Sequence, residues 1–97
     1  MLMLVSYDVS TVTAAGRKRL RQIARLCQAW GVRVQNSVFE CHLDWAQWLT
    51  LKAQLEQICD PTLDSLRCYN LGNHYQEHVS HYGAKPTPDL ATDLLEL

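Results

Sequence analysis

The sequence of 97 residues lacks most of the signatures by which a chemical class is recognised. It has only four glycines and contains no glycine-rich phosphate loop, no serine nucleophile elbow and no cysteine–histidine pair at a usable spacing. Its apolar runs are too short to span a membrane, and no basic stretch precedes the first of them. These absences argue against a P-loop nucleotide site, an activated serine or cysteine, a signal peptide and a membrane protein.

Cysteine pairs of the C-x-x-C type are also absent. The cysteines are scattered, at Cys27, Cys41, Cys59 and Cys68. In a chain without a secretory signal, this pattern is typical of reduced core thiols in a cytoplasmic protein. His74, His78 and His81 lie close together but have no second ligand pair nearby, so we expect solvated side chains there and not a zinc site.

Acidic residues are missing from residues 9–39, and this absence is the most informative one. The same segment holds Arg17, Lys18, Arg19, Arg21, Arg25 and Arg33. Residues 1–40 therefore carry a balance of +4 and residues 41–97 a balance of −5, although the whole chain has a net charge of only −1. Such a local field indicates a polyanionic partner such as nucleic acid.

Three of these arginines, Arg17, Arg21 and Arg25, follow the i, i+4, i+8 spacing of one helix face. Like charges at this spacing destabilise an isolated helix by about 0.2–0.5 kcal/mol per pair. The face is either a solvated surface balanced by the acidic second half or a phosphate-binding stripe. Both interpretations stay open at this point.

The hydrophobic pattern predicts the order strand, helix, strand, strand, helix, strand. The first strand is a short apolar run that ends in Ser6, Tyr7 and Asp8, and we expect it to be central and buried on both faces. The other elements are expected at residues 14–30 (helix), 32–35 and 38–43 (hairpin), 44–59 (helix) and 64–71 (strand). This order is that of an α+β, ferredoxin-like βαββαβ fold with an antiparallel sheet and both helices on one face.

Residues 74–97 form a tail beyond the ferredoxin-like core of residues 1–73, within the same single domain. The tail contains a predicted strand near residues 78–82, a proline-containing linker at residues 83–88 and an apolar end at residues 94–97. A chain of this length buries roughly two-thirds of its unfolded surface, so dimerisation would add useful buried area. We expect the tail to pair with the second subunit of a homodimer.

Asp8 is a lone acid at the end of a rigid strand, beside the basic segment. One carboxylate is too few for Mg²⁺, which takes six oxygen ligands. A homodimer axis near Asp8 would supply two carboxylates, and the bound ion could then polarise a phosphodiester. The alternative is an aspartate that caps or turns the chain after a strand.

The sequence closely resembles the small CRISPR-associated endonuclease (endoribonuclease) family, the smaller of the two proteins of spacer acquisition. The matching stretches are VSYDV at residues 5–9, GRKRLR at 16–21, GVRVQNSVFE at 31–40, SLRCYNL at 65–71 and GAKPT at 83–87. The YDV and RVQNSVFE blocks, in this order and at this distance, make the resemblance specific.

The resemblance implies a ferredoxin-like homodimer whose C-terminal strand pairs with the partner subunit. Asp8 matches the family's metal aspartate, one from each protomer, and Tyr7 matches the residue beside it. Further positions match residues linked to nucleic-acid handling, namely Arg17, Arg19, Arg33 and Phe39. Members of the family are Mg²⁺-dependent endonucleases that cut single-stranded RNA or double-stranded DNA, and they bridge the larger integrase of the adaptation complex.

The predicted function is therefore a Mg²⁺-dependent endonuclease of CRISPR spacer acquisition, with Asp8 and Tyr7 as catalytic residues and Asp8 as the metal ligand. The predicted nucleic-acid-binding residues are Arg17, Lys18, Arg19, Arg21, Arg25, Arg33 and Phe39. One alternative is a non-hydrolytic DNA-bridging scaffold, because Ser10 and Thr11 stand where some relatives carry another acid. Another is a ferredoxin-like regulatory domain that binds a small molecule through a glycine-containing loop after the first strand.

Overall fold

The computed structural model of the chain describes residues 1–83. The elements are strand β1 (Leu2–Asp8), helix α1 (Ala14–Trp30), strands β2 (Val32–Gln35) and β3 (Val38–His42), helix α2 (Trp45–Ile58), strand β4 (Ser65–Gly72) and a 3-10 helix (Tyr75–Glu77). The strands form one antiparallel sheet in the order β2-β3-β1-β4. The predicted α+β, ferredoxin-like βαββαβ fold is confirmed.

Strand β1 is the centre of the sheet, paired with β3 on one side and β4 on the other. Because side chains alternate along a strand, its odd-numbered residues face the helices and its even-numbered residues face away from them. Met3, Val5 and Tyr7 accordingly belong to the core, whereas Leu4 and Ser6 are only half-buried. The prediction of burial on both faces holds only in part, because Leu2 is buried but Leu4 and Ser6 are half-buried on the side that carries no helix, which we call the open face.

Helix α1 begins where Thr13 caps it, with the Thr13 hydroxyl accepting a hydrogen bond from the Gly16 N–H at 3.1 Å. Ile23 and Cys27 are fully buried on its inner side. The helix ends at Gly31, as predicted, but the backbone there is extended (φ −160°) and not left-handed. Glycine is needed for space, because a Cβ at this position would lie 2.5 Å from the sulfur of Cys41.

Helix α2 begins with the predicted capping box. The Asp44 carboxylate accepts a hydrogen bond from the Gln47 N–H at 2.8 Å, and the Gln47 side chain accepts one from the Asp44 N–H at 2.9 Å. Trp48, Leu51 and Leu55 recur at helical spacing and are buried against the sheet. Within the described residues, no helix is long and apolar enough to cross a membrane.

The four cysteines are free thiols, as predicted. Burial raises the pKa of Cys27 and Cys41 to about 12 and that of Cys68 to about 11, and it also raises the pKa of Cys59. Cys27 and Cys41 belong to the fully buried core, and the other two are half-buried at its margin. All four are therefore protonated near neutral pH.

The tail departs from prediction. After β4 the chain forms the 3-10 helix, in which the Tyr75 ring lies edge-on to His42 at a centroid distance of 5.3 Å. Residues 79–83 then run over the open face and line, with Leu4, Val38 and Tyr69, an open cavity of about 530 Å³. The predicted strand at residues 78–82 is absent from this single chain, because a strand requires a neighbouring strand to satisfy its backbone groups. The linker at 83–88 extends beyond the described residues, and the apolar end at 94–97 lies wholly outside them.

Candidate metal and nucleic-acid site

Asp8 is the last residue of β1 and is exposed to solvent. It pairs in register with Ser65 of β4, and its even-numbered position places it on the open face with Leu4 and Ser6. Among residues 1–83, no group of three or more histidine, cysteine, aspartate or glutamate side chains is placed to hold a metal ion. One described chain thus contributes a single exposed carboxylate at a rigid strand end.

Tyr7 lies on the other side of the sheet. Its side chain is buried, its hydroxyl donates a long hydrogen bond of 3.5 Å to the Asn36 carbonyl, and its ring stacks on Phe39 at a centroid distance of 6.2 Å. Burial raises the pKa of the Tyr7 hydroxyl, and the nearby positive charge of Arg33 partly opposes that rise. Tyr7 and Asp8 are neighbours in sequence, but the structure does not bring their side chains to the same face.

Arg33 and Phe39 are cross-strand partners in β2 and β3. The Arg33 guanidinium carbon lies 5.1 Å from the centroid of the Phe39 ring, a cation–π contact. Arg33 is exposed, whereas Phe39 is fully buried. Phe39 therefore supports Tyr7 and Arg33 from within the core, and of these three residues only Arg33 is open to a nucleic acid.

The outer side of α1 carries four exposed cations, which we call the basic row: Arg17, Lys18, Arg21 and Arg25. The ion pairs of residues 1–83 join Arg19 to Asp64 and Lys52 to Glu56, so none of them involves the basic row. Arg17 also donates a hydrogen bond of 3.2 Å to the carbonyl of Thr11, in the loop after Asp8. From Arg17 the basic row extends about 12 Å along the helix, at 1.5 Å per residue.

Arg19 does not belong to this exposed set. Its Nε lies 2.8 Å from a carboxylate oxygen of Asp64, and its side chain is only 16% exposed. The expectation that the whole basic segment is unneutralised is therefore wrong at Arg19. Its partner lies 45 residues away in sequence, so no local pattern could have revealed the pair.

Arg67 is a cation near Asp8 that the sequence analysis did not single out. It pairs in register with Ser6, while Asp8 pairs with Ser65, so Arg67 and Asp8 are diagonal neighbours on the open face. Such positions lie about 7–8 Å apart. Alternation along β4 separates Arg67 from Leu66 and Cys68, which pack against the core. What the sequence could not supply was the register with β1.

The family model described as CRISPR associated protein Cas2 matches residues 1–79 of the chain. The chain belongs to the Cas2 family. It is 57% identical to the CRISPR-associated endoribonuclease Cas2 3 of Rhodospirillum rubrum, over 97% of this chain and 99% of that one. It is 52% identical to the CRISPR-associated endonuclease Cas2 of Halalkalibacterium halodurans, over 98% of this chain and 99% of the relative.

Solved structures agree with this assignment to the Cas2 family. A crystal structure of Streptococcus pyogenes Cas2 superposes with a TM-score of 0.75 at 52% identity, covering 86% of this chain and all of that one. A hypothetical protein from Thermus thermophilus gives a TM-score of 0.74 at 32% identity, covering 91% of this chain and 96% of that one. Membership of the Cas2 family, with relatives named endonucleases and endoribonucleases, supports a CRISPR-associated nuclease role.

Proposed function

We propose that this Cas2-family chain is a Mg²⁺-dependent endonuclease that hydrolyses phosphodiester bonds during spacer acquisition in antiviral defence, and that it acts as a cytoplasmic homodimer. The observation that carries the proposal is Asp8 itself. Its carboxylate is exposed at the end of the central strand, on the open face, with Arg67 diagonal to it. The basic row adds cations that have no ion-pair partner within residues 1–83.

The open face supports the homodimer. It presents the half-buried Leu4 and Val38 together with Tyr69, which is 48% exposed. A second copy that packs on this face by a twofold axis buries the same patch of both subunits. Because Asp8 lies on that face, its equivalent in the second copy would also lie at the interface.

The donor chemistry fits Mg²⁺, but only if both subunits contribute. Mg²⁺ prefers oxygen ligands and is usually held by one or two carboxylates together with water and substrate phosphate oxygens. Within residues 1–83, a single chain offers one such carboxylate at this strand end, so the two Asp8 residues of a dimer would hold the ion. When bound, Mg²⁺ would polarise the phosphodiester and lower the pKa of a bound water.

The chain's own cations would bind and orient the substrate. The exposed basic row would neutralise backbone phosphates, and each neutralised phosphate makes binding more dependent on salt. Arg33 stands on the opposite side of the sheet from Asp8, where its contact with Phe39 orients it. Arg67, on the face of Asp8, would stabilise the negative charge that grows on the phosphate as the bond breaks.

Both RNA and DNA fit this surface, because phosphate contacts carry no base sequence information. The relatives carry both descriptions in their names, endoribonuclease and endonuclease. We therefore propose single-stranded RNA or double-stranded DNA as the substrate. The larger CRISPR integrase is the proposed protein partner.

Replacing Asp8 with asparagine tests the proposal. We expect Asp8→Asn to abolish Mg²⁺-dependent cleavage of a single-stranded RNA and of a duplex DNA, because the amide loses the anionic charge that attracts the ion. Affinity for the same oligonucleotides, measured without metal, should remain. The control is Glu77→Gln, which removes an exposed acid from the 3-10 helix. Cleavage by the Asp8 variant at the rate of the unmodified protein would disprove the role of Asp8.

The non-hydrolytic DNA-bridging scaffold is the second candidate. It is favoured by the lone carboxylate, since Ser10 and Thr11 follow Asp8 where a further acid would strengthen a metal site. Spacer insertion by a reconstituted integrase complex separates the two functions. A scaffold predicts that Asp8→Asn inserts spacers normally, and a required nuclease predicts that insertion stops.

A small-molecule regulatory domain has less support. Its effector loop would need glycine after β1, but Gly16 lies inside α1 and the loop of residues 9–13 contains none.

A further inference from the structure

The carboxylate of Asp64 is a fully buried hydrogen-bond centre close to the Asp8 end of the sheet. Its side chain has no exposed surface. It accepts hydrogen bonds from Arg19 Nε at 2.8 Å and Nη2 at 3.4 Å, from the backbone N–H of Asp60 at 2.9 Å and from the backbone N–H of Ser10 at 3.1 Å. These bonds hold the pKa of Asp64 below its usual range, with the Arg19 bond as the largest cause.

These bonds join three separate parts of the chain. Asp60 belongs to the loop between α2 and β4, Arg19 belongs to α1, and Ser10 belongs to the loop after β1. Ser10 is only two residues beyond Asp8, so Asp64 holds the segment that immediately follows the proposed metal ligand. The N–H of Ser10 is thus fixed by a buried charge, which makes a stronger hydrogen bond than a neutral acceptor would.

The same loop is also held from its other side. Gly16 lies so close to the Ser10 carbonyl that a Cβ on Gly16 would overlap with that oxygen. The Ser10 peptide is therefore held on one side by Asp64 and on the other by the first turn of α1. Such a backbone segment has little freedom to move relative to the end of β1.

Arg19 differs from the basic row in what its guanidinium faces. Two of its nitrogen atoms point to Asp64, and 16% of its side chain is exposed. Lys18 and Arg21, by contrast, are exposed and form no ion pair within residues 1–83. A guanidinium that is bidentate to a buried carboxylate has its charge neutralised and its orientation fixed by that partner, so it attracts a phosphate less than a free arginine does.

We propose that Arg19 and Asp64 are positioning residues that fix the loop after Asp8, and that Arg19 does not bind the phosphate backbone. The proposal rests on the function proposed above in one respect: that function makes Asp8 the metal ligand, so the position of Asp8 matters. Arg19 orients and neutralises Asp64, Asp64 holds the Ser10 N–H, and the Ser10 peptide sets where β1 ends. Loss of either side chain frees the loop.

Amide hydrogen exchange at Ser10 is the direct test, and it does not require activity. We expect Arg19→Gln and Asp64→Asn each to speed exchange of the Ser10 N–H by about tenfold or more, which is the scale of one lost hydrogen bond. Arg21→Gln is the matched control, because Arg21 lies on the same helix but is exposed and should leave that exchange unchanged. Unchanged Ser10 exchange in Arg19→Gln and Asp64→Asn would overturn the proposal.

Salt dependence of oligonucleotide binding separates positioning from phosphate contact. Each lost phosphate contact reduces the slope of log K against log salt concentration by about 0.7–0.9. We expect this reduction for Arg21→Gln and an unchanged slope for Arg19→Gln. A slope that falls equally in both variants would overturn the proposal, because Arg19 would then contact phosphate directly.

Cleavage kinetics supply the third comparison. Arg19→Gln and Asp64→Asn should lower kcat by a similar factor of about ten to a hundred, with KM nearly unchanged, because misplacement affects the reaction more than binding. The double variant should be no slower than the worse single one. Additive effects in the double variant, or a rise in KM alone, would contradict a shared positioning role.

The two proposals can fail separately. If the unmodified protein cleaves neither RNA nor DNA, the proposed nuclease function fails, and Ser10 exchange with the salt slope still decides whether Arg19 positions the loop. Arg19→Lys covers the case in which Arg19→Gln does not fold. Lysine keeps the positive charge but has only one donor group. The Ser10 N–H of Arg19→Lys should therefore exchange at a rate between those of the unmodified protein and Asp64→Asn. Exchange as slow as in the unmodified protein would show that the bidentate contact is not needed.

Discussion

Glu40 is a residue whose environment conflicts with its charge. It is 7% exposed on the open face, where its register partner in β1 is Leu4 and its partner in β2 is Val32. It makes no ion pair within residues 1–83. Burial raises its pKa, because removal from water disfavours the charged carboxylate.

Glu40→Gln should therefore stabilise the protein at neutral pH. A raised folded pKa means that the stability contributed by Glu40 is complete below the ordinary carboxyl pKa and is lost as pH rises through the raised value. The variant should exceed the unmodified protein in free energy of unfolding at pH 7, and the difference should shrink as pH falls toward about 4. Urea unfolding at both pH values measures this.

The control, Glu77→Gln, removes an exposed acid and should show no such trend. A gain in free energy of unfolding from Glu40→Gln that is smaller at pH 7 than at pH 4 would contradict the prediction.

At the residue scale the sequence was informative where the signal is local. The end of the apolar run predicts that Asp8 is the last residue of its strand. Strand alternation then places Asp8 on the open face. The expectation of an unneutralised charge failed at Arg19 because its partner Asp64 is distant in sequence, and an arginine within a basic segment looks like its neighbours. The placement of Tyr7 away from the face of Asp8 follows from the same alternation.

At the scale of elements, helix α1 is fitted closely to the loop that precedes it. An alanine in place of glycine usually stabilises a helix, by about 1 kcal/mol. At Gly16 the added methyl group would overlap with the backbone carbonyl of Ser10, which cannot move without displacing the loop.

Gly16→Ala is therefore expected to destabilise the protein, by about 1–3 kcal/mol, as overpacking usually does. Urea or thermal unfolding measures the change. Gln28→Ala, an exposed position of the same helix, serves as the control and should be neutral or slightly stabilising. A stabilised Gly16→Ala protein would mean that the loop after β1 can move away freely.

The elements themselves were predictable because each carries its own boundary signals. The Asp44–Gln47 capping box begins α2, and periodic apolar residues define the buried side of both helices. The strand expected near residues 78–82 was not found, since no part of the sequence can show whether a strand has a neighbour. When the proposed partner strand belongs to another subunit, the structure of one chain alone does not contain that pairing.

For the whole molecule, the open face of the sheet is the surface on which the proposed function depends. The helices bury one face of the sheet, whereas the other keeps Tyr69 48% exposed. The proposed second subunit on that face would cover the exposed aromatic ring and would add a second Asp8 carboxylate.

Tyr69→Glu should separate the proposed dimer, because it places an uncompensated charge in the buried interface. Sedimentation equilibrium should then report a mass near 11.1 kDa, where the unmodified protein should show about twice that. Mg²⁺-dependent cleavage should be lost with the dimer. Leu49→Glu is a closely matched control, since Leu49 is also 48% exposed but lies on α2. Separation by the Leu49 variant and not by the Tyr69 variant would place the interface on the helices.

The protonated state of the four cysteines has a practical consequence for watching this molecule at work. Maleimide dyes react with thiolates, and a thiol with a pKa of about 12 is ionised in only about one molecule in 10⁵ at pH 7. A cysteine engineered at the exposed Thr11 should take up the fluorophore well before the natural ones. In the proposed homodimer, energy transfer between the labels of the two subunits would then report the distance between their loops after β1, in solution and in real time.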